Sequence, residues 1–253
     1  MPGCPCRAGS GARASALRDN ARDIHVTARY AVYWAPEYDD PLHALGSGWL
    51  GRDAASDAVL GQPALPGGLD IAEITADPRG YGLHATLKAP FRLAGDPAAL
   101  EAAVAVLAAR IPAFDLPPLA VRDLSGFLAL RETAPCPALH ALADACTAEL
   151  DGFRAPMTEA EWARRRRGRL TPGDEARLAR WGYHHVFETW RFHVTLSRRL
   201  TPAERALVEP AVTAHLAAAA AQPRRVASIC LFKQAAPGVP FVIARRFPMD
   251  GVA

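Results

Sequence analysis

The stretch Tyr81-Gly82-Leu83-His84-Ala85-Thr86-Leu87-Lys88 decides the fold, because its pattern returns in Trp190-Arg191-Phe192-His193-Val194-Thr195-Leu196-Ser197. Each copy reads aromatic, any residue, apolar, His, apolar, Thr, Leu, polar. Successive side chains of a β-strand point to opposite faces. Each copy is therefore predicted as a half-buried strand with an apolar face toward the core. Its polar face carries a histidine and a threonine about 6–7 Å apart along the strand.

The elements that follow each copy repeat as well. A helix and then two strands are predicted at residues 96–111, 114–121 and 127–131, and again at residues 201–220, 226–232 and 239–247. Pro90 is expected to end the first histidine strand, since proline cannot donate a ladder hydrogen bond. An internal duplication of this kind predicts an α+β chain with two sheet-and-helix lobes that face each other.

The remaining segments complete one predicted domain over residues 29–253. A strand is expected at residues 29–34, a helix at residues 41–49 and another at residues 137–150. Residues 155–185 interrupt the duplicated pattern and are predicted as an inserted pair of helices. The first starts at Thr158 with a capping carboxylate, and the second starts at Thr171. Residues 1–28 are rich in Gly, Ala, Ser and Arg, which predicts a disordered leader or an over-extended start.

Composition excludes several classes of protein. The chain has 253 residues, of which 29 are basic and 26 acidic, so it is not a polycation. No apolar run approaches the roughly 18 residues of a membrane-spanning helix, and no apolar segment typical of a signal peptide follows the first arginines. The 5 cysteines have no regular spacing, so a disulfide framework is not expected and a cytoplasmic location is.

Several segments together resemble a known family. The two His-x-Thr-apolar motifs are similar to those of the two-histidine phosphoesterase superfamily. The flanking segments resemble a bacterial family of unassigned function found in phosphonate-utilisation operons, over residues 29–247. The segments that carry this resemblance are Tyr30-Ala31-Val32-Tyr33, Trp49-Leu50-Gly51-Arg52-Asp53, Gly82-Leu83-His84-Ala85-Thr86-Leu87-Lys88-Ala89-Pro90-Phe91-Arg92 and Arg191-Phe192-His193-Val194-Thr195-Leu196.

The resemblance implies a bilobal fold with two pseudo-symmetric antiparallel sheets, helices outside and a central cleft. It implies hydrolysis or opening of a cyclic phosphodiester with no metal and no cofactor, and it makes His84, Thr86, His193 and Thr195 the catalytic residues. The residues fit such chemistry, because histidine can give or take a proton near neutral pH. Each threonine hydroxyl can donate to a non-bridging phosphoryl oxygen. Which histidine is the base stays open, since the two halves are nearly equivalent.

Further side chains are candidates for substrate binding. Lys88, Arg191 and Ser197 share the polar faces of the two strands and are expected to add hydrogen-bond donors. Tyr33 is either a wall of the site or a packing residue. Arg165 and Arg166 belong to the run Arg164–Arg169, which is read as a lid over the cleft, as a solvated helix face or as a nucleic-acid patch. The nucleic-acid reading is not favoured, because the run contains no aromatic residue. His184 and His185 lack a third ligand at zinc-like spacing, so no metal site is expected there.

Three functions remain open on these residues. The first is a metal-independent phosphoesterase acting on a small cyclic or pyrophosphate-like ester, with a sugar cyclic phosphate as a candidate by analogy. The second is an enzyme acting on 2′,3′-cyclic ends of RNA or on nucleotides. The third is a non-catalytic protein that binds a phosphorylated ligand. A small phosphorylated partner is expected in every case, and no membrane partner.

Overall fold

The computed structural model describes residues 28–166 and 168–251. The leader predicted for residues 1–28 lies outside the described residues except for Ala28, which is buried in the core. Arg167 of the arginine run also lies outside them. Within the described residues, Cys136, Cys146 and Cys230 are buried free thiols, and no helix is long and apolar enough to cross a bilayer.

Strands and helices alternate through the chain much as the repeat predicts. The strands are β1 Arg29–Trp34, β2 Ala85–Arg92, β3 Phe114–Leu116, β4 Leu119–Leu124, β5 Phe127–Glu132, β6 Val194–Arg199, β7 Arg224–Val226, β8 Ser228–Gln234 and β9 Val242–Pro248. The helices are α1 Pro41–Leu50, α2 Ile71–Ile74, α3 Ala76–Arg79, α4 Pro97–Arg110, α5 Pro137–Glu149, α6 Glu159–Arg165, α7 Pro172–Trp181 and α8 Pro202–Ala220.

The predicted α+β bilobal architecture is confirmed, with one difference in how the lobes join. A 7-stranded antiparallel sheet has the order β4-β5-β6-β2-β1-β8-β9, and β3 pairs with β7 in a separate ribbon. The two sheets expected from the duplication are the two wings of this one sheet. They join where β2 lies beside β6, through the single pair Ala85 and Val194. The two histidine strands therefore run side by side at the centre of the molecule.

The two halves of the sequence exchange elements between the wings. Strand β2, from the first half, pairs with β1, and β1 pairs with β8 of the second half. Strand β6, from the second half, pairs with β5 of the first half. Helix α4 packs on β8 and β9, while α8 packs on β4. Neither half can therefore bury its own apolar surface alone, and the chain forms one continuous core across both wings.

The apolar faces of the two histidine strands lie in that core, as the alternation predicts. Leu83, Ala85 and Leu87 are at most 4% exposed. Phe192, Val194 and Leu196 are fully buried. Burial of a side chain such as Leu or Phe contributes about 1.5–3 kcal/mol, so these strands are strongly fixed in register. The opposite face of the sheet is left for the histidines.

The bounds of the two strands differ from the prediction. Each strand begins one residue after its histidine, so His84 and His193 lie at strand entrances rather than within strands. Strand β2 also continues through Pro90 to Arg92. Pro90 is tolerated because the register against β1 shifts between Lys88 and Phe91, and a bulged residue needs no ladder donor.

The insertion at residues 155–185 folds against the end of β2. Its helices α6 and α7 start after Thr158 and Thr171, as predicted. The structure shows a capping box at each start, formed with Glu161 and with Asp174 respectively. Arg92, the last residue of β2, donates to Glu161 at 3.2 Å. Arg165 donates to the carbonyl oxygen of Pro90 at 3.0 Å. These contacts hold α6 beside the polar face of the sheet.

Candidate active site

The two histidines are held by the same local contact. Nδ1 of His84 lies 2.9 Å from the carbonyl oxygen of Gly82, and Nδ1 of His193 lies 2.8 Å from that of Arg191. A carbonyl oxygen can only accept, so Nδ1 carries the proton in each ring. Each Nε2 is left for the cleft, and Nε2 of His84 lies 3.4 Å from the hydroxyl of Thr86. The duplication thus presents two imidazoles in the same tautomer.

Gly82 makes the contact at His84 possible. Its φ is +79°, a conformation that side chains rarely adopt, and a Cβ there would lie 2.4 Å from Cβ of Ala54. Only glycine therefore lets the chain turn so closely before His84. Arg191 occupies the equivalent position in the second copy, so the two turns differ although their carbonyl contacts agree.

A cavity of about 460 Å³ brings the repeated residues together. His84, Thr86, His193 and Thr195 all line it. Its other polar and aromatic walls come from β1, from the turn before β2 and from the insertion, and they include Arg29, Tyr33, Tyr81, Arg164, Arg165, Tyr183 and His184. The insertion therefore closes one side of the cavity that the sheet opens.

His84 lies in an aromatic environment. The ring of Tyr33 stacks on it with centroids 3.9 Å apart and planes at 25°, and the ring of Tyr81 lies 5.8 Å away. Burial lowers the pKa of His84 to about 4, against the opposing effect of its bond to Gly82, and the nearby His193 lowers it further. His84 is therefore neutral at neutral pH, and its unprotonated Nε2 can accept a proton.

His193 has a different environment. Burial lowers its pKa, its bond to the Arg191 carbonyl opposes this, and the charges of Arg131 and Glu132 act in opposite directions. Its aromatic neighbour Phe127 meets it edge-on, with ring centroids 6.1 Å apart. The carboxylate of Glu132 favours the imidazolium form of His193, and among the described residues no carboxylate does so at His84.

Two tryptophans support the centre of the sheet. Nε1 of Trp190 donates to the carbonyl oxygen of Thr86 at 2.8 Å. Nε1 of Trp49 donates to the carbonyl oxygen of Leu196 at 2.9 Å. The two histidine strands share only one residue pair, so these side-chain bonds satisfy backbone acceptors that a full ladder would occupy.

A second cavity of about 560 Å³ adjoins the first. Thr86, Tyr183 and His193 line both. Arg191, predicted as a substrate contact, lines this second cavity and not the first. Its neighbours there include Asp174, His185, Glu188 and Arg199.

Lys88 does not reach either cavity, so its prediction as a substrate contact is wrong. Its Nζ lies 3.1 Å from Oδ1 of Asp151 and 3.1 Å from the carbonyl oxygen of Thr147, and the side chain is 4% exposed. The physical reason is a bulge, because Thr86 pairs with Tyr33 while Lys88, two residues later, pairs with the adjacent Val32. The extra residue turns Lys88 toward helix α5 on the other face.

Ser197 is also turned away from the cavities, against the prediction. Its hydroxyl accepts from the backbone N–H of Leu128 at 3.0 Å and donates to the carbonyl oxygen of Arg198 at 2.8 Å. The register between β5 and β6 shifts between Phe127 and Ala129. This irregularity places Ser197 against the neighbouring strand, where it is 1% exposed.

The two arginines predicted as phosphate contacts, Arg165 and Arg166, lie in different environments. Arg165 lines the first cavity, with its guanidinium 4.7 Å from the ring centroid of Tyr183. Arg166 is exposed, lies 4.8 Å from the ring of Trp162 and 3.8 Å from Glu175, and lines neither cavity. Arg166 follows the last residue of helix α6, and its contacts with Trp162 and Glu175 turn it away from the cleft.

Several wall residues were not predicted from the sequence. Tyr183 and His184 follow the Gly182 cap of α7, and Arg29 starts β1. Tyr81 carries a signal, because it is the aromatic residue of the first repeated motif. Its counterpart in the second motif, Trp190, instead donates to the backbone of strand β2 at Thr86. The others follow only from the three-dimensional approach of the insertion and β1 to the histidines.

The fold and the site thus define a bilobal α+β chain with two equivalent histidines at the junction of its wings. The chain belongs to the family described as "Protein of unknown function (DUF1045)", which matches residues 86–242. The resemblance to an uncharacterised family is confirmed by this match.

Two curated relatives carry the name "Ribose 1,5-bisphosphate phosphokinase PhnN". The protein from Janthinobacterium sp. (strain Marseille) is 40% identical over 232 residues, which are 88% of this chain and 51% of that protein. The protein from Laribacter hongkongensis (strain HLHK9) is 37% identical over 223 residues, 86% of this chain and 51% of that protein. The chain therefore spans about half the length of the curated relatives it matches.

A solved structure is similar over most of its length. The E. coli protein LigT complexed with phosphate is 15% identical with a TM-score of 0.41, and the similarity covers 88% of this chain and 97% of that one.

Proposed function

We propose that the protein is a phosphoesterase that opens a small cyclic phosphodiester. The observation that carries this proposal is the pair of imidazoles, each fixed through Nδ1 to the carbonyl two residues earlier, on the wall of one cavity. Two positioned groups of this kind supply both proton transfers that ring opening needs. The two threonines on the same cavity wall support the assignment, because they supply hydroxyl donors beside the histidines.

The different environments of the histidines support distinct roles. His84 is neutral, because burial lowers its pKa to about 4, and this state suits a general base. Burial and Arg131 lower the pKa of His193, while its bond to the Arg191 carbonyl and the charge of Glu132 oppose the lowering. His193 is assigned as the general acid because His84, with a pKa of about 4, is the better suited of the two to act as the base. In-line displacement requires the attacking and leaving oxygens on opposite sides of phosphorus, so one histidine serves each side.

The proposed reaction proceeds in one displacement. His84 Nε2 takes a proton from water while the water oxygen forms a bond to phosphorus. The bond from phosphorus to one ring ester oxygen breaks, and His193 Nε2 gives its proton to that oxygen. Thr86 and Thr195 donate to the non-bridging oxygens, where negative charge accumulates. The histidines return to their starting protonation states by exchange with solvent.

The relatives suggest the class of substrate. Their name concerns ribose 1,5-bisphosphate, and this chain corresponds to about half of each of them. A cyclic phosphodiester joining O1 and O2 of ribose 5-phosphate gives that bisphosphate when the bond to O2 breaks. A sugar cyclic phosphate of this kind, from phosphonate metabolism, is therefore the proposed substrate.

The test is incubation of the wild-type protein with a panel of cyclic phosphates, followed by phosphorus NMR. The panel contains ribose 5-phosphate 1,2-cyclic phosphate and adenosine 2′,3′-cyclic phosphate. Faster conversion of the sugar compound to a monoester is expected. Faster conversion of the nucleotide would instead favour an enzyme acting on RNA ends. Saturable binding of a compound without conversion would favour a non-catalytic binding protein and contradict the proposal.

A further inference from the structure

We infer that Arg29, Arg164 and Arg165 form a second phosphate-binding subsite in the first cavity, so that the substrate carries a phosphate monoester besides the reacting ester. This inference rests on the proposed function and extends it to the choice of substrate. All three side chains line the cavity that contains both histidines. They come from β1 and from the insertion.

Arg165 is built into the wall of the cavity. Its guanidinium lies over the ring of Tyr183 at 4.7 Å, and one of its nitrogens donates to the carbonyl oxygen of Pro90 at 3.0 Å. Burial lowers its pKa, yet an arginine stays charged at any physiological pH. A half-buried cation with one carbonyl partner retains further N–H donors, which can form the paired bonds that phosphate accepts.

Arg29 and Arg164 extend the positive wall. Arg29 Nε donates to Oε1 of Gln234 at 2.7 Å, and its guanidinium lies 5.3 Å from the ring of Phe241. The Phe241 ring stacks on Tyr81 at 5.2 Å, and Tyr81 flanks His84. Arg164 is exposed beside Arg165 in helix α6. The basic wall thus adjoins the aromatic surroundings of His84.

The arginines of this site differ from most others in their ion pairing. Most arginines of the described residues outside the two cavities form an ion pair with Asp or Glu. Within residues 28–166 and 168–251, Arg29, Arg164 and Arg165 have no carboxylate partner. Uncompensated positive charge in a concave site attracts an anion, and phosphate matches the arginine fork.

The second cavity is less suited to a phosphate. It also contains arginines without a carboxylate partner among the described residues, namely Arg191 and Arg199. However, Asp174 and Glu188 also line it and share the single partner Arg177, so together they offset part of this positive charge. Among the described residues, the first cavity has one carboxylate in its wall, that of Asp77. Its volume of about 460 Å³ falls within the range of about 300–1,000 Å³ that is usual for ligand pockets.

The experiment compares two substrates that differ only in the second phosphate. Steady-state kinetics are measured with ribose 1,2-cyclic phosphate and with its 5-phosphate, for the wild type and for the double variant Arg164→Ala, Arg165→Ala. Loss of charged hydrogen bonds should raise KM for the 5-phosphate about 10- to 100-fold. KM for the compound without the 5-phosphate should change by a much smaller factor. Arg166→Ala is the matched control, since Arg166 follows directly in the chain but faces Glu175.

Equal effects of the double variant on both substrates would overturn the inference, and so would a selective effect of Arg191→Ala instead. Binding of ribose 5-phosphate, measured by isothermal titration calorimetry, gives a result even if the wild type turns over neither ester. In that case the proposed function fails, but binding weakened about 10- to 100-fold in the double variant supports the subsite. Equal binding by both proteins, or no binding by the wild type, overturns it.

Discussion

At the scale of single residues, the site depends on an asymmetry between two side chains that the sequence makes look equivalent. His84 is enclosed by Tyr33, Tyr81 and Phe232. His193 meets Phe127 and feels the charges of Arg131 and Glu132. The identical anchoring of both Nδ1 atoms fixes the tautomer, so the surroundings decide which ring holds a proton.

This asymmetry predicts a bell-shaped pH profile of kcat/KM with its maximum on the acid side of neutrality. The base must be deprotonated, so activity should fall as pH drops through the pKa of His84, about 4. The acid must be protonated, so activity should fall as pH rises through the pKa of His193, which burial holds below 6.5.

Initial rates on the cyclic substrate between pH 3.5 and pH 9, roughly the range that covers both limbs, give the two apparent values. These values belong to the coupled pair rather than to either ring alone. Activity that rises steadily to alkaline pH would contradict the assignment of His193 as a protonated acid.

The sequence was sufficient to find the histidines and threonines but not all of their neighbours. Strict alternation places His84 and Thr86 together, and the structure does bring them into one cavity. The same rule placed Lys88 and Ser197 there, and it failed because a bulge or a register shift lies between each of them and its threonine. Such irregularities depend on the pairing strand, which the local sequence does not encode.

At the scale of elements, the bulge in β2 has an energetic consequence. Lys88 is buried with Asp151, which also accepts from Arg154 at 2.9 Å and from Arg180 at 3.1 Å. Replacing one partner of a buried pair leaves the other charge without compensation, at a cost of about 3–5 kcal/mol. Asp151→Asn is therefore expected to lower the free energy of unfolding by about that amount, measured by urea denaturation.

Lys88→Met is the matched variant, because it removes the buried charge and keeps most of the side-chain volume. Its free energy of unfolding should change little, since two arginines still compensate Asp151. KM should also be unaltered, because Lys88 lies outside both cavities. A large rise in KM at unchanged stability would restore Lys88 as a substrate contact.

The insertion shows the same division between what can and cannot be predicted. Its capping boxes at Thr158 and Thr171 are local patterns, so both helices could be located from sequence. The side of α6 that faces the cleft is set by contacts with β2, such as that of Arg165 with Pro90. Sequence therefore could not separate Arg165 from Arg166.

At the scale of the whole molecule, the duplication predicts two wings. It does not predict that each wing combines strands from both halves of the sequence. Each histidine strand pairs mainly within one wing, and each wing combines strands from both halves. Pairing over such separations leaves no local signal. The single junction pair of Ala85 and Val194 then brings the histidine strands side by side.

The proposed chemistry needs only protein groups, so activity should persist after exhaustive treatment with EDTA. No group of three or more His, Cys, Asp and Glu residues within the described ranges is arranged to hold a metal ion. The measurement is the rate on the cyclic substrate before and after chelation, with added Zn²⁺ and Mn²⁺ as the control. Loss of activity in EDTA with recovery on adding either ion would contradict this prediction.

The most direct test of the account is a double-mutant cycle on the histidine pair, measured as kcat on the cyclic phosphodiester. His84→Ala and His193→Ala should each lower kcat by about 10²–10⁴-fold. Groups that act as a unit have non-additive effects. The kcat of the double variant should therefore be about equal to that of the slower of the two single variants. Circular dichroism should show that all three variants fold. A single variant that keeps nearly the wild-type kcat would contradict the central claim.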